Sequence, residues 1–246
     1  MGLFDRQKKT GRDRRISVFE TDYPIDRSSW LQVFSACLGK MIIIQGACGE
    51  QVVKGQDWNV DFKKGTIAFG KKEYPVQFLG SEAVSDNSWL WGYENINGFD
   101  GRLLQLAEQT KKFGEKWKLD PLRVPGFSLD KVYNGHNLSI AACGISKDNY
   151  CYYRGPHAGG AVFVAFSDVP ESVFSPVDDL RFTSVTMQCI QQFPVDHKIF
   201  VESLLIWNGT EYEWEDNRIV AHFPAKLGIS FEKTDAFMRI SAMKTL

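Results

Sequence analysis

Residues 58–69 have the sequence Trp-Asn-Val-Asp-Phe-Lys-Lys-Gly-Thr-Ile-Ala-Phe, and this stretch decides the fold class. Apolar residues alternate with polar ones on both sides of a central Lys-Gly pair, which is the pattern of two half-buried strands joined by a turn. Tyr74, Val76 and Phe78 continue the same alternation. We therefore predict an antiparallel meander that begins near residue 58.

The meander ends in an unusually aromatic segment. After a polar turn at residues 86–88, Trp89, Trp91 and Tyr93 would share one face of a strand, because successive side chains of a strand point to opposite faces. Three neighbouring rings need a large surface to pack against. They either fill the core or form the aromatic wall of a ligand pocket, and the sequence leaves both alternatives open.

Three stretches of this region resemble a known family. They are residues 65–70 (Gly-Thr-Ile-Ala-Phe-Gly), 76–81 (Val-Gln-Phe-Leu-Gly-Ser) and 86–93 (Asp-Asn-Ser-Trp-Leu-Trp-Gly-Tyr). They resemble a bacterial family of unknown function that has a tryptophan-rich Ser-Trp-Leu-Trp-Gly-Trp strand, and Tyr93 stands where that strand usually has its last tryptophan. The resemblance covers roughly residues 55–165. It implies a bacterial cytoplasmic protein and brings no activity or catalytic residue with it.

Segments outside the meander have mostly helical or strand-like spacing. We predict helices that start near Ser28, Asp100 and Ser128, and a further helix over 195–207. We predict strands over 150–154, 161–167, 182–190, 211–214, 218–223, 227–231 and 237–242. Together these elements predict an α+β fold in which helices pack on a curved antiparallel sheet.

A helix followed by a meander occurs twice, over 28–94 and over 195–243. One interpretation is a duplicated unit like that of hotdog or cystatin-like folds, and the other is an ordinary α+β meander. If the unit is duplicated, residues 55–94 and 210–243 should superpose as sheets with the same strand order.

The chain divides unevenly by composition. Residues 1–25 contain six basic residues and few apolar ones, which predicts a flexible basic tail. The remainder, 26–246, is predicted as one α+β domain, either undivided or made of two similar halves at about 26–145 and 146–246.

Charge and hydropathy exclude some classes of partner. The 246 residues include 29 basic and 30 acidic ones, so no strong net field attracts nucleic acid or a membrane surface. The longest apolar run, 41–44, is too short to cross a bilayer, and the first residues lack the apolar core of a secretory signal. We expect a cytoplasmic protein that binds neither nucleic acid nor membrane.

Cysteine and histidine spacing gives no sign of a metal or cofactor. The five cysteines are widely separated, without a Cys-x-x-Cys motif, and no two of the four histidines have the three- or four-residue spacing of a helical metal site. We expect five free thiols, no bound transition metal and no cofactor.

His136 is the histidine with the most functional potential. It falls within an apolar stripe with Val132 and Ile140 on a predicted helix, so we expect it to be mostly buried and to lie near the aromatic sheet. It is either a hydrogen-bonded core histidine or part of a pocket between helix and sheet. The residues of that candidate pocket are Asp86, Trp89, Trp91, Tyr93, His136, Tyr150 and Tyr152.

The function has two alternatives at this stage. Cys151 and His157 flank a Gly-Pro turn, but a free cysteine in an aromatic strand is more often a small core residue than a nucleophile. No Gly-x-Ser-x-Gly, Walker or His-Glu-x-x-His motif is present. The leading hypothesis is a non-enzymatic binding or protein-interaction module for a small apolar ligand or a protein partner. The alternative is a hydrolase or thioesterase of hotdog type acting on a small apolar substrate.

Overall fold

A computed structural model describes residues 17–234 and 238–246. The helices in these residues are α1 (Trp30–Cys48), α2 (Gln105–Trp117), α3 (Asp120–Arg123), α4 (Gly135–Ile145), α5 (Asp179–Gln192) and α6 (His197–Asn208). The strands are β1 (Trp58–Asp61), β2 (Thr66–Phe69), β3 (Lys72–Ala83), β4 (Ser88–Trp91), β5 (Gly126–Ser128), β6 (Cys151–His157), β7 (Gly160–Phe166), β8 (Tyr212–Glu215), β9 (Arg218–Ala221), β10 (Leu227–Lys233) and β11 (Met238–Thr245). They form two antiparallel sheets, so the predicted α+β fold is confirmed.

Strand β3 organises the larger, seven-stranded sheet. Its first residues pair with β2 and its last residues pair with β4, while β7 pairs with it from Val76 to Ala83. The register with β7 shifts between Phe78 and Gly80. A bulge at this place bends a strand and increases its twist, so one long strand can hold two short neighbours end to end.

The smaller sheet is a meander of β8, β9, β10 and β11 in chain order. Strands β1 to β4 also follow one another in chain order, but β3 additionally pairs with β7 and β4 with β5. The common order is what a duplication requires, whereas the extra strands have no counterpart in the smaller sheet. The duplication and the division into two halves stay predictions.

Helix α1 lies at the centre of the core and contacts α4, α5 and α6. Residues 33–41 are all buried. The α1–α4 contact is close because of Gly144, where an added Cβ would collide with the side chain of Cys37. The apolar run 41–44 lies within α1, and beyond Cys48 the chain continues in a π-helical turn, Gly49–Val53.

One continuous helical segment, Trp30–Val53, is long and apolar enough to cross a membrane, by length and composition only. Its most apolar window has a mean hydropathy of 1.5, and 67% of that window is buried inside the fold. This length is hard to predict from the sequence, because Gly46 and Gly49 are residues that commonly interrupt a helix. No other segment of residues 17–234 or 238–246 has this length and hydropathy.

The predicted strand over 182–190 is wrong, because this segment lies in helix α5. The β-branched residues of the segment suggested a strand. The residues that are buried, however, are Phe182, Val185, Thr186 and Cys189, which have the spacing of one helix face. Asp178 begins the helix, since its side chain accepts a hydrogen bond from the Arg181 N–H at 2.8 Å.

The helix predicted from Ser128 begins seven residues later, at Gly135. Gly126–Ser128 pairs with β4 as strand β5 instead. The true N-cap is Asn134, whose side chain accepts from the Asn137 N–H at 3.0 Å. Val132 therefore precedes the helix, and His136 lies in the first turn of α4 rather than in the middle of an apolar stripe.

The segment predicted as a tail belongs partly to the fold. Residues 1–16 lie outside the described residues, but Val18 and Phe19 are buried. The backbone N–H groups of Asp22 and Tyr23 donate to the Glu202 carboxylate on α6 at 2.7 and 3.0 Å. The charged residues before Ser17 dominated the composition and hid these anchoring positions.

All five cysteines are free and buried, as predicted for the thiols. Burial raises the pKa of Cys143 and of Cys189 to about 12. The pKa of Cys37 is raised by burial, and that of Cys151 by a hydrogen bond with Cys48 and by burial. Each of these thiols is protonated in the fold over a pH range in which an unfolded thiol, with a pKa of about 9, has lost its proton.

We expect the protein to lose stability steeply above about pH 9. A raised folded-state pKa gives stability that is present below the unfolded pKa and lost as the pH rises, at about 1.4 kcal/mol per unit for each thiol. Lys40 opposes this loss. Burial lowers its pKa to about 8, so the cost of burying its charge disappears and the fold gains stability between about pH 8 and pH 10.5. Four thiols outweigh one lysine, so the net loss from about pH 9 to pH 10 is on the order of 3 kcal/mol.

Urea unfolding in the presence of a reductant, at neutral pH and at about pH 9 and 10, measures this loss. The variant Cys189→Ala is the control, and its net loss over the same interval should be about a third smaller, because one of the four thiols is gone. A free energy of unfolding that stays constant or rises above about pH 9 would contradict the expectation.

Candidate functional site

Trp89 and Trp91 of the predicted aromatic strand are part of the core, whereas Tyr93 lies beyond the end of β4, in a 3₁₀ turn over Gly92–Glu94. Trp89 and Trp91 are each about 1% exposed, and their rings meet edge to face at 5.2 Å. The Trp91 Nε1 group donates to the Pro121 carbonyl at 2.9 Å, and the Tyr93 hydroxyl donates to the Leu122 carbonyl at 3.3 Å. These contacts anchor the chain around α3, which favours the core-filling alternative for these rings.

Asp86 and Tyr150 lie apart from those rings. Asp86 is exposed in the β3–β4 turn, where its carboxylate accepts from the Ser88 hydroxyl at 2.7 Å. Tyr150 is half-buried just before β6, and burial and the nearby Asp148 raise its pKa. Within the predicted set, the structure places His136 in direct contact with Tyr152.

His136 and Tyr152 form a hydrogen-bonded pair, with 3.2 Å between Nδ1 and the hydroxyl oxygen. The imidazole also meets the Phe163 ring edge to face at 5.5 Å, so it lies next to the sheet as predicted. The expectation that His136 is mostly buried is wrong, because the residue is exposed. It is exposed because it occupies the first turn of α4, at the rim of the sheet.

Charged groups surround this pair. Glu82 accepts from the Gly135 N–H at 2.9 Å and from the Arg154 Nε at 3.2 Å, so its charge is matched by the start of α4 and by a guanidinium. Desolvation lowers the pKa of His136, Glu82 raises it and Arg154 lowers it. The imidazole is therefore mainly neutral at neutral pH and can exchange a proton with solvent.

Tyr152 itself is held firmly. The Gln45 side chain on α1 pairs with its backbone, donating to the carbonyl at 2.9 Å and accepting from the N–H at 2.9 Å. Strand β6 pairs with β7 along one edge, and the side-chain amide of Gln45 covers part of the other edge of β6. The position of the hydroxyl beside His136 thus follows from the packing of α1 against β6.

The candidate nucleophile pair does not form. Cys151 and His157 are the first and last residues of β6, six residues apart on an extended strand and therefore separated by about 20 Å. Cys151 is fully buried, and the His157 Nδ1 accepts from the Gly159 N–H in the exposed turn. In the described residues, no group of three His, Cys, Asp or Glu side chains could hold a metal ion.

A groove lies at the opposite end of α4 from His136. Its volume is about 490 Å³. It lies between the segment that precedes α1, the outer face of α2 and the end of α4. Its lining residues are Ser17, Phe19, Glu20, Arg27, Gln109, Phe113, Lys116, Trp117, Ile145, Lys147 and Asp148, and none of the seven predicted site residues is among them.

Aromatic rings form much of the groove. The rings of Phe19 and Trp117 are 5.2 Å apart, and those of Phe113 and Trp117 are 5.0 Å apart. Phe19, Trp117 and Ile145 are buried and Phe113 is half-buried. The floor is therefore apolar, while charged side chains stand at the exposed rim.

Lys40 supports the end of α4 beside this floor. Its fully buried Nζ donates to the carbonyls of Ser146 at 2.9 Å and of Cys143 and Asp148 at 3.4 Å. A cation is favourable at a helix C-terminus, where carbonyl groups lack partners. Burial lowers the pKa of Lys40 to about 8, so it is still mostly protonated at neutral pH.

Sequence reasoning missed the groove for a specific reason. Phe113 and Trp117 belong to the helix predicted from Asp100, whose spacing gives no sign of a pocket, and Phe19 was assigned to the tail. The signal that could have indicated it is the apolar pair Val18 and Phe19, which follows the run of basic residues in the N-terminal segment. The groove combines segments about 90 residues apart, which periodicity does not bring together.

A model of a protein family of unknown function matches residues 31–169, which is more than half of the chain. The chain belongs to this family, DUF6882. The DUF6882 assignment confirms the predicted resemblance to a family of unknown function, while the bacterial origin and the tryptophan pattern stay predictions. No curated protein and no solved structure matches the chain.

The DUF6882 region runs from α1 through β7. It includes the larger sheet, the His136–Tyr152 pair and the groove walls on α2 and α4. Phe19 and Arg27 lie before the DUF6882 region, and α5, α6 and the smaller sheet lie after it. The groove is therefore completed by residues that the family match does not cover.

Proposed function

We propose that this protein is a non-enzymatic binding protein that holds a small apolar ligand in the groove. The observation that carries the proposal is the apolar floor of Phe19, Phe113, Trp117 and Ile145 beneath a charged rim. A volume of about 490 Å³ lies within the usual range for sites that bind small organic molecules.

The size of the groove favours a small molecule over a protein partner. A stable protein interface covers on the order of 800 Å² on each partner, whereas this groove is a concavity of about 490 Å³. Aromatic rings at its floor suit an apolar body, because they offer both contact area and polarisable faces.

The enzymatic alternative, a hydrolase or thioesterase, has less support. Acyl transfer needs a nucleophile or base that faces the bound substrate. His136 lies outside the groove lining, and the groove carboxylates Glu20 and Asp148 stand at its exposed rim.

We further propose a cytoplasmic location without a nucleic-acid or membrane partner, supported by the near-zero net charge.

Binding of the neutral fluorescent probe N-phenylnaphthylamine to the full chain tests this proposal. We expect saturable binding, and we expect Phe113→Ala to weaken it about tenfold because one ring of the floor is lost. Phe113 is half-buried, so its replacement preserves most of the core.

The matched control is Phe127→Ala, which removes another half-buried phenylalanine that packs on Tyr133 and does not line the groove. It should leave the probe affinity within about twofold. Absence of saturable binding, or an equal loss in both variants, would overturn the proposal.

A further inference from the structure

We infer that the ligand of the groove carries an acidic group, and that Arg27 binds this group. This inference rests on the proposed function and specifies its ligand class: a small organic acid with an apolar body. Arg27 belongs to the turn before α1 and lines the groove.

Two aromatic rings hold the Arg27 guanidinium in place. Its central carbon lies 5.8 Å from the centre of the Phe19 ring and 5.8 Å from that of the Trp117 ring, within the range of a cation–π contact. The same two rings form the floor of the groove. A ligand that lies on this floor would therefore bring a polar end close to a guanidinium that is already positioned.

The guanidinium forms no hydrogen bond or ion pair with any residue in 17–234 or 238–246. Its N–H groups thus remain available as donors within the described part of the chain. Arginine presents donors in a planar fork that matches a carboxylate or a related oxyanion. A guanidinium that two rings hold in place, and that has no partner among the described residues, is well suited to such a group.

The charge balance of the rim also favours an anion. Three cations, Arg27, Lys116 and Lys147, face two carboxylates, Glu20 and Asp148. The buried ammonium of Lys40 lies close enough to Asp148 for a favourable electrostatic interaction. The rim is therefore net positive, although the whole chain has a net charge of −1.

Two matched probes test the inference on the full chain. Anilinonaphthalene sulfonate is N-phenylnaphthylamine with an added sulfonate, so the pair differs by one anionic group. We expect the sulfonate to bind the protein about tenfold more tightly than the neutral probe, and this preference to shrink at high ionic strength.

The variant Arg27→Gln should weaken sulfonate binding about tenfold and neutral-probe binding much less, so that the preference for the sulfonate over the neutral probe is largely lost. Lys116→Gln, on the exposed face of α2, should cause a smaller loss in the same direction. Arg123→Gln is the matched control, because this exposed arginine pairs with Asp120 and does not line the groove.

The outcomes separate the inference from the proposed function. Equal affinity for the two probes, or an Arg27→Gln variant that binds the sulfonate as tightly as the natural chain does, overturns the acidic ligand class. In that case the proposal that the groove binds a small apolar ligand still holds if Phe113→Ala weakens binding of the neutral probe. If the neutral probe does not bind at all, the proposed function fails, and the ligand class fails with it.

Discussion

Glu202→Ala is expected to lower the free energy of unfolding by about 4 kcal/mol. The Glu202 carboxylate on α6 is fully buried and accepts hydrogen bonds from four donors. These are the N–H groups of Asp22 and Tyr23, the Tyr212 hydroxyl at 2.8 Å and the Trp214 indole N–H at 3.1 Å. Alanine would leave all four donors without an acceptor and would create a cavity.

The free energy of unfolding of Glu202→Gln should lie between those of the natural chain and the alanine variant. The glutamine carbonyl oxygen still accepts hydrogen bonds, but the amide nitrogen is itself a donor and faces other donors. Glu211→Ala, at an exposed position shortly after α6, is the control and should change stability by less than about 0.5 kcal/mol. Urea unfolding followed by circular dichroism measures all three variants. A loss below about 1 kcal/mol for Glu202→Ala would show that water replaces the carboxylate without cost.

Gly160→Ala is expected to destabilise the fold by about 3 kcal/mol. Gly160 begins β7 with a φ of 153°, which L-residues rarely adopt. An added Cβ would collide with the backbone carbonyl of Glu82 on β3, and this atom has no room to move within the sheet. The change therefore strains both the residue and the β3–β7 pairing.

The neighbouring glycine provides a closely matched control. A Cβ on Gly159 would meet only the His157 ring, at 3.5 Å or more, which is ordinary contact. Gly159→Ala should therefore change stability by less than about 0.5 kcal/mol, or increase it slightly by restricting the unfolded chain. Thermal unfolding of the two variants side by side distinguishes the cases, and similar melting temperatures would contradict the expectation.

The strands were predicted well where one face is buried and the other exposed. The hairpin over 58–69 and the turns of the smaller sheet follow from alternation and turn residues alone. Helix α5 was misassigned because β-branched residues suggest a strand when their burial pattern is unknown. The strand preference of the individual residues is overridden there, because a helix buries Phe182 and Cys189 on one face.

The candidate site was harder to predict than the fold. The helical stripe that included His136 mixed residues from before and after the true N-cap at Asn134, so a surface histidine looked like a core one. Tyr152 was grouped with His136 in the candidate pocket, and it is the member of that group that the structure brings into contact with the imidazole. The groove depends on the position of Phe19 relative to α2, which tertiary packing alone determines.

The central position of α1 has a consequence for biosynthesis. The apolar segment Trp30–Val53 leaves the ribosome early, but α6, which covers one side of α1, is completed only at Asn208, roughly 150 residues later. At typical rates of translation this interval lasts on the order of ten seconds. During that time the nascent chain exposes a long apolar helix, so it should be a substrate for chaperones that recognise uncovered hydrophobic segments.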